Sequence, residues 1–174
     1  MRVFAEGTAG LSGMPVADVR LGGTDFHVMH PGENYGRACI ALRGAQRPEL
    51  PARLDTVVRL DAKGSRLLFL QAALGADPSR KSPCLVYTIH YADGESLDVP
   101  MREGIEIGAF EKPESLPNWK VAWTASAGGH TIGLGVTEWK NPRPAVAIEW
   151  IRLSTPGTGA VPIIVAISLD PKGT

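Results

Sequence analysis

The sequence has little cysteine, few aromatic residues and no net charge, and each shortage argues against a class of protein. Two cysteines among 174 residues are too few for a disulfide scaffold. The 18 basic and 18 acidic residues cancel, which argues against a dedicated nucleic-acid binder, because such proteins usually carry a basic excess. The apolar fraction of 44% excludes a disordered chain and is enough to build a core.

Long hydrophobic runs are also missing. The longest one, from Val161 to Leu169, is far shorter than the ~20 residues of a transmembrane helix, so we expect no membrane partner. The first residues lack the apolar stretch of a secretory signal peptide. The chain is therefore expected either to be cytoplasmic or to be cut from a larger protein.

Turn-forming residues, in contrast, are abundant. The 20 glycines and 14 prolines exceed the typical share of about an eighth, so many tight turns and few long helices are expected. Between the turns lie short β-rich runs with no helical periodicity. We predict a single all-β domain over residues 1–174, an antiparallel β-sandwich of the jelly-roll type with an irregular segment at 1–17. The predicted strands are 26–29, 37–42, 56–60, 66–73, 84–91, 96–99, 105–108, 119–123, 130–136, 145–154 and 161–169.

Several local patterns predict details of this sandwich. Residues 61–65 look like a hairpin-type loop, and Asp93-Gly94 predicts a tight hairpin turn. The runs 67–70 and 163–167 are apolar on both faces, which predicts central strands with one face on the core and the other covered by loops or extra strands. The apolar phase slips at Trp150-Ile151, which predicts a β-bulge there.

The sequence contains none of the common catalytic or phosphate-binding motifs. The H-E-x-x-H, G-x-x-x-x-G-K-[ST] and G-x-S-x-G patterns are missing. His27 and His30 are three residues apart, so on a strand they point to opposite faces and do not chelate one ion. Cys39 and Cys84 lie in apolar runs, which favours buried free thiols and leaves a single bridge as the alternative.

The four tryptophans all lie between residues 119 and 150. Trp123 and Trp150 stand among apolar neighbours inside predicted strands, so we place them in the core. Trp119 and Trp139 lie at loop edges, and we expect them to be the more exposed pair. An exposed indole would suit sugar recognition, because its flat face packs on the C–H face of a pyranose.

Six segments in the same order resemble a family of accessory β-sandwich modules attached to bacterial polysaccharide-degrading enzymes. These modules are of the galactose-binding-domain-like, carbohydrate-binding type. The similar segments are 22–42 (GGTDFHVMHPGENYGRACIAL), 67–72 (LLFLQA), 87–94 (YTIHYADG), 105–110 (IEIGAF), 138–142 (EWKNP) and 161–167 (VPIIVAI). The chain departs from the family pattern at Gln71, where the family usually has His, and at Ala109-Phe110, which replace an Asp-Trp pair.

The resemblance implies a non-catalytic module that targets a linked glycoside hydrolase or lyase to a polysaccharide. It also implies an extracellular or periplasmic location as part of a secreted protein. The candidate sugar contacts are Trp119, Trp139, Asn118, His130, Tyr35 and Arg143. A Ca²⁺ ion is expected on Glu33, Asn34 and Asp77, with ordinary solvated loops as the alternative for these residues.

Two other functions are compatible with the same sequence. The first is a structural domain that packs against a catalytic partner, which the continuous apolar strands fit equally well. The second is a small hydrolase or lyase that acts on glycans and would need acids or histidines converging in a cleft.

Overall fold

Antiparallel β-strands build the part of the chain described by the computed structural model, which comprises residues 11, 13–33, 38–44, 55–157 and 159–170. The strands are β1 (Ala17–Leu21), β2 (Thr24–Val28), β3 (Ile40–Ala41), β4 (Asp55–Ala62), β5 (Arg66–Leu74), β6 (Pro83–Tyr91), β7 (Ser96–Arg102), β8 (Lys120–Ala127), β9 (His130–Lys140), β10 (Ile148–Ser154) and β11 (Val161–Asp170). A turn of 3₁₀ helix spans Pro31–Glu33. Within those ranges, no helix is long and apolar enough to cross a membrane.

The strands form two facing sheets and a separate hairpin. The four-stranded sheet has the order β4-β10-β6-β7, and the five-stranded sheet has the order β3-β11-β5-β9-β8. Strands β1 and β2 pair only with each other. The predicted all-β, antiparallel sandwich is confirmed.

The main core lies between the two sheets. It joins Leu67 and Phe69 of β5 to Tyr87 and Ile89 of β6, all fully buried. The rings of Phe69 and Tyr87 stack with their centroids 4.1 Å apart. Cys84 is a buried free thiol in this core, as expected, and burial raises its pKa to about 12.

A second apolar cluster covers the outer face of the five-stranded sheet. There Leu68 and Leu70 of β5 belong to the same cluster as Phe26 and Val28 of the β1–β2 hairpin. Strand β5 is thus buried on both faces, as its sequence predicts, and the added hairpin is the extra layer. Burial at roughly 25 cal/mol per Å² of apolar surface makes this strand a main source of stability.

Three strand predictions are wrong. Residues 105–108 form turns and an isolated bridge rather than a strand. The loop at 61–65 is not a hairpin, because β4 pairs with β10 while β5 pairs with β9 and β11, so the chain crosses between sheets there. Strand β7 does not stop before Pro100 but continues to Arg102, since an edge strand tolerates proline's missing N–H.

The hairpin predicted at Asp93-Gly94 is confirmed. It joins β6 to β7, and the Gly94 amide donates to the Tyr91 carbonyl at 3.0 Å. Gly94 has a φ of +90°, whereas Asp93 is not among the residues with positive φ. The turn is therefore a type I turn closed by a left-handed glycine, rather than one with two left-handed residues.

The predicted bulge exists, but it begins before Trp150. The pairing of β10 shifts register between Ile148 and Trp150 with both of its neighbours, which leaves Glu149 as the extra residue. Ile148, Ile151 and Leu153 are consequently buried. Alternation then turns Trp150 away from the core, so its predicted place in the core is wrong.

A buried polar network links the sheets to the loop that precedes β8. The Tyr87 hydroxyl donates to Gln71 Oε1 at 2.7 Å, and Gln71 Nε2 donates to Thr137 Oγ1 at 3.1 Å and to the Glu106 carbonyl at 3.3 Å. The Trp119 indole N–H donates to the Gln71 carbonyl at 2.9 Å. Each of these buried groups needs its partner, because an unpaired one costs about 1–3 kcal/mol.

We therefore predict that Gln71→Leu lowers the free energy of unfolding by about 2 kcal/mol, since it leaves the buried Tyr87 hydroxyl without an acceptor. In a Tyr87→Phe background, the same change is expected to cost clearly less. Urea denaturation of the four proteins in this cycle measures the coupling. Equal costs in the two backgrounds would show that the residues do not depend on each other.

Candidate functional site

The two sheets differ in what covers their outer faces. The hairpin and loops cover the five-stranded sheet, whereas outward side chains of the four-stranded sheet remain exposed, as at Val57, Arg59, Asp98 and Arg152. We call this surface the open face. Its outward residues, in rows across β4, β10, β6 and β7, are Arg59, Trp150, His90 and Ser96; Val57, Arg152, Thr88 and Asp98; and Asp55, Ser154, Val86 and Pro100.

An aromatic pair forms the middle of the first row. Trp150 and His90 are direct partners on β10 and β6, and their rings stack with centroids 3.4 Å apart and planes within 17°. Both side chains are only half-buried. Stacking fixes the indole in one orientation, so the open face carries a rigid aromatic surface.

Polar groups surround this aromatic pair. The Thr88 hydroxyl donates to Asp98 Oδ1 at 2.6 Å, and Arg152 Nη2 donates to Asp55 Oδ2 at 2.8 Å. Arg59 lies within 4 Å of two carboxylates, at 3.8 Å from Asp61 and 3.9 Å from Glu149. Every arginine on the face thus has an acidic neighbour, yet each retains further N–H donors for a ligand.

The open face is large enough for an extended ligand. Four strands spaced by 4.7–4.9 Å give a width of roughly 14 Å, and the four residues from Val86 to His90 give a length of about 13 Å. The surface is a flat sheet rather than a cleft. Such geometry suits a polymer lying across the strands better than a small molecule that needs enclosure.

The structure places Trp119 in the interior, so its predicted exposure is wrong. Its side chain is 0% exposed. A Cβ added at Gly108 or Gly135 would lie only 2.4–2.5 Å from the indole ring, which shows that these two glycines make room for it. With both ring faces packed, Trp119 has no surface to offer a sugar. The flat glycine face of β9 therefore serves packing.

The other predicted sugar contacts do not converge. Asn118 and His130 are exposed at opposite ends of the eight-residue strand β8, about 27 Å apart. Trp139 is half-buried against the main core. Arg143 lies on the loop after β9, and Tyr35 lies outside the described residues.

Arg143 belongs to a self-contained cluster at the β6–β7 turn. Its guanidinium pairs with Asp93 and lies 4.8 Å above the ring centre of Tyr91. The Tyr91 hydroxyl donates to Asn141 Oδ1 at 2.7 Å. Hydrogen bonding from Arg143 lowers the pKa of Asp93. These contacts stabilise the turn and explain the Asn141-Pro142 motif as scaffold.

The expected calcium ligands gain no mutual contact. Asp77 accepts hydrogen bonds from the backbone and hydroxyl of Ser79 at 3.0 and 2.6 Å and lies 3.5 Å from Arg80, and these bonds lower its pKa. Glu33 is exposed, and Asn34 lies outside the described residues. Among the residues that are described, no group of three or more acids, histidines or cysteines is gathered. Calcium binding stays a prediction, and Asp77 would have to give up its loop bonds.

The two departures from the family pattern are structural. Gln71 is 0% exposed and Phe110 1% exposed, so neither side chain reaches a ligand. What the sequence interpretation missed is the Trp150–His90 pair. The Asp93-Gly94 turn fixes the outward row of β6, but the facing of β10 depends on the position of its bulge.

Comparison with known proteins adds no relative to this description. No protein-family model matches the chain, and neither the curated proteins nor the solved structures give a match.

The contrast between two tryptophans gives the first test of this site. Trp119→Ala is expected to cost about 3–5 kcal/mol of unfolding free energy, because it empties a buried site. Trp150→Ala is expected to cost less than half as much, since its ring is already half in solvent. Urea denaturation of both variants provides the comparison. Equal losses would mean that Trp150 is a core residue.

A second test concerns the loop that holds Asn118. Glu106 Oε1 accepts from Arg102 at 2.6 Å and from Asn118 at 3.3 Å. Burial alone would raise the pKa of Glu106, but these hydrogen bonds outweigh it and the pKa is lowered. The stabilisation is therefore present above the ordinary carboxyl pKa and lost as the pH falls through the lowered value.

Glu106→Gln is thus expected to be less stable than wild type near neutral pH, by about 1 kcal/mol because Arg102 is partly exposed. The difference should shrink as the pH falls to about 3, where the wild-type carboxyl approaches the neutral form. Denaturant midpoints across this range measure it. A difference that is constant with pH would assign the loss to packing alone.

Proposed function

We propose that this domain is a non-catalytic carbohydrate-binding module whose open face takes the polysaccharide. The single observation that carries the proposal is the half-exposed Trp150, held rigid on His90 in the middle of an exposed sheet. A tryptophan left in solvent contributes little to the core. On this face it offers an apolar plane for the C–H side of a sugar ring.

The surroundings of Trp150 support the same function. A sugar has an apolar face and a rim of hydroxyls, so its binding site needs an aromatic plane together with donors and acceptors. Arg152 supplies N–H donors one row from the indole, and Asp98 supplies carboxylate oxygens. Both lie on regular strands, so no loop has to become ordered when a glycan binds.

A flat, rigid platform fits a targeting role. Weak binding of a polymer becomes effective when the module is linked to an enzyme, because the link raises the local concentration of substrate. Under this proposal the catalytic step belongs to a linked glycoside hydrolase or lyase, and the module acts where that enzyme meets its polymer, outside the cell or in the periplasm. The sandwich contributes attachment alone.

One observation favours the alternative of a structural domain. Val57 is 54% exposed on the open face, and an exposed apolar side chain next to an aromatic pair also suits contact with a neighbouring domain. That hypothesis predicts that the face is covered in the intact protein and does not bind glycans.

The binding proposal predicts that Trp150→Ala weakens polysaccharide binding by about tenfold or more while the fold is kept, because the stacking surface is lost. His130→Ala is the matched control, since His130 is an exposed aromatic residue on the other sheet. A glycan array selects the polymer, and calorimetry measures affinity for both variants.

The outcome of this experiment separates the hypotheses. Loss of binding only in Trp150→Ala supports the open face. Loss in His130→Ala, with Trp150→Ala unaffected, would move the site to the loops. Absence of binding over a broad panel would favour the structural domain, and release of reducing ends would favour an enzyme.

A further inference from the structure

The charges around the Trp150–His90 pair specify the kind of glycan that this face accepts. Resting on the proposed function, we infer that the open face binds uncharged glycans and discriminates against uronates and other anionic sugars. The juxtaposition that carries the inference is an aromatic platform bordered by carboxylates whose number exceeds that of the arginines beside them.

The excess of acidic groups can be followed around the face. Among the described residues, Arg59 and Arg152 stand against four carboxylates, which belong to Asp55, Asp61, Asp98 and Glu149. Each arginine is within 4 Å of at least one of these acids, so its charge is already balanced. A sugar carboxylate or sulfate would have to displace an internal partner to pair with a guanidinium.

Asp98 gives the face its clearest preference. Its Oδ1 accepts from the Thr88 hydroxyl at 2.6 Å, and no arginine or lysine in the described structure pairs with it. A carboxylate in this position accepts hydrogen bonds from the hydroxyls of a neutral sugar. It repels a ligand carboxylate at the same distance, an effect that weakens as salt is added.

The arginines fit uncharged ligands as well. Arg152 uses Nη2 for its bond to Asp55 at 2.8 Å, which leaves other N–H groups of a guanidinium with five donors. Sugar hydroxyl and ring oxygens accept from such donors without carrying charge. The face therefore offers both donors and acceptors to hydroxyls, together with the apolar plane of Trp150, while its net charge opposes anions.

The test compares polymers that differ only in charge. Hydroxyethyl cellulose and carboxymethyl cellulose share one backbone, and fully methyl-esterified pectin and its de-esterified form share another. Affinity electrophoresis of the full chain at low and high salt measures binding to each. We expect the neutral member to bind at least tenfold more tightly at low salt, and we expect the difference to narrow at high salt.

Variants assign the discrimination to the face. Asp98→Asn combined with Glu149→Gln should reduce the preference for the neutral polymer by about tenfold or more. Glu114→Gln is the matched control, because it removes an exposed acid that pairs with Lys112 in the loop before β8. The double variant is expected to keep its fold, since both side chains are largely solvent-exposed.

Failure of this inference differs from failure of the proposed function. Equal or tighter binding of the anionic polymers, still lost in Trp150→Ala, would overturn the preference and leave the binding face intact. An unchanged preference in the double variant would also overturn it. Binding to no polymer, or binding insensitive to Trp150→Ala, would overturn the function and the inference together.

Discussion

Burial of β5 on both faces is the constraint on which the rest of the structure depends. One face of the strand packs on the four-stranded sheet through Leu67 and Phe69, and the other packs under the β1–β2 hairpin through Leu68 and Leu70. A strand that is apolar on both sides needs two covering layers. The fold supplies them on this sheet, and the opposite sheet is left with a free outer surface.

That free surface owes its chemistry to the bulge at Glu149. In a regular strand, Ile148 and Trp150 would share a face, and the indole would enter the core. The extra residue reverses the alternation, so Ile151 and Leu153 fill the core and Trp150 stands beside His90 in solvent. A local irregularity in pairing thereby converts a core-like residue into a surface one, as bulges next to functional sites commonly do.

The sequence was a good guide to whatever depended on local pattern. The turn at Gly94 and the double-sided burial of β5 follow from glycine conformation and from apolar runs, and both are present. Features set by long-range pairing were not accessible in the same way. Whether residues 61–65 turn back or cross between sheets depends on which partners β4 and β5 choose, and short runs do not encode that choice.

The tryptophans show the same division. Trp119 follows a proline and an asparagine, which resembles an exposed loop edge, but Gly108 and Gly135 lie 135 − 119 = 16 and 119 − 108 = 11 residues away and open the space that receives it. Trp150 has apolar neighbours on both sides, yet one inserted residue turns it outward. The local neighbourhood of an aromatic residue therefore predicted its environment poorly in both cases.

The two polar systems of the domain have separate roles because they differ in burial. The network around Gln71 is closed to solvent and ties Tyr87, Thr137 and the loop before β8 together, so it contributes a unique arrangement of the core. The polar groups beside Trp150 are open to solvent and only partly engaged with each other. A rigid interior thus supports an exposed surface whose remaining hydrogen-bonding capacity is available to a ligand, and this combination favours recognition with little conformational cost.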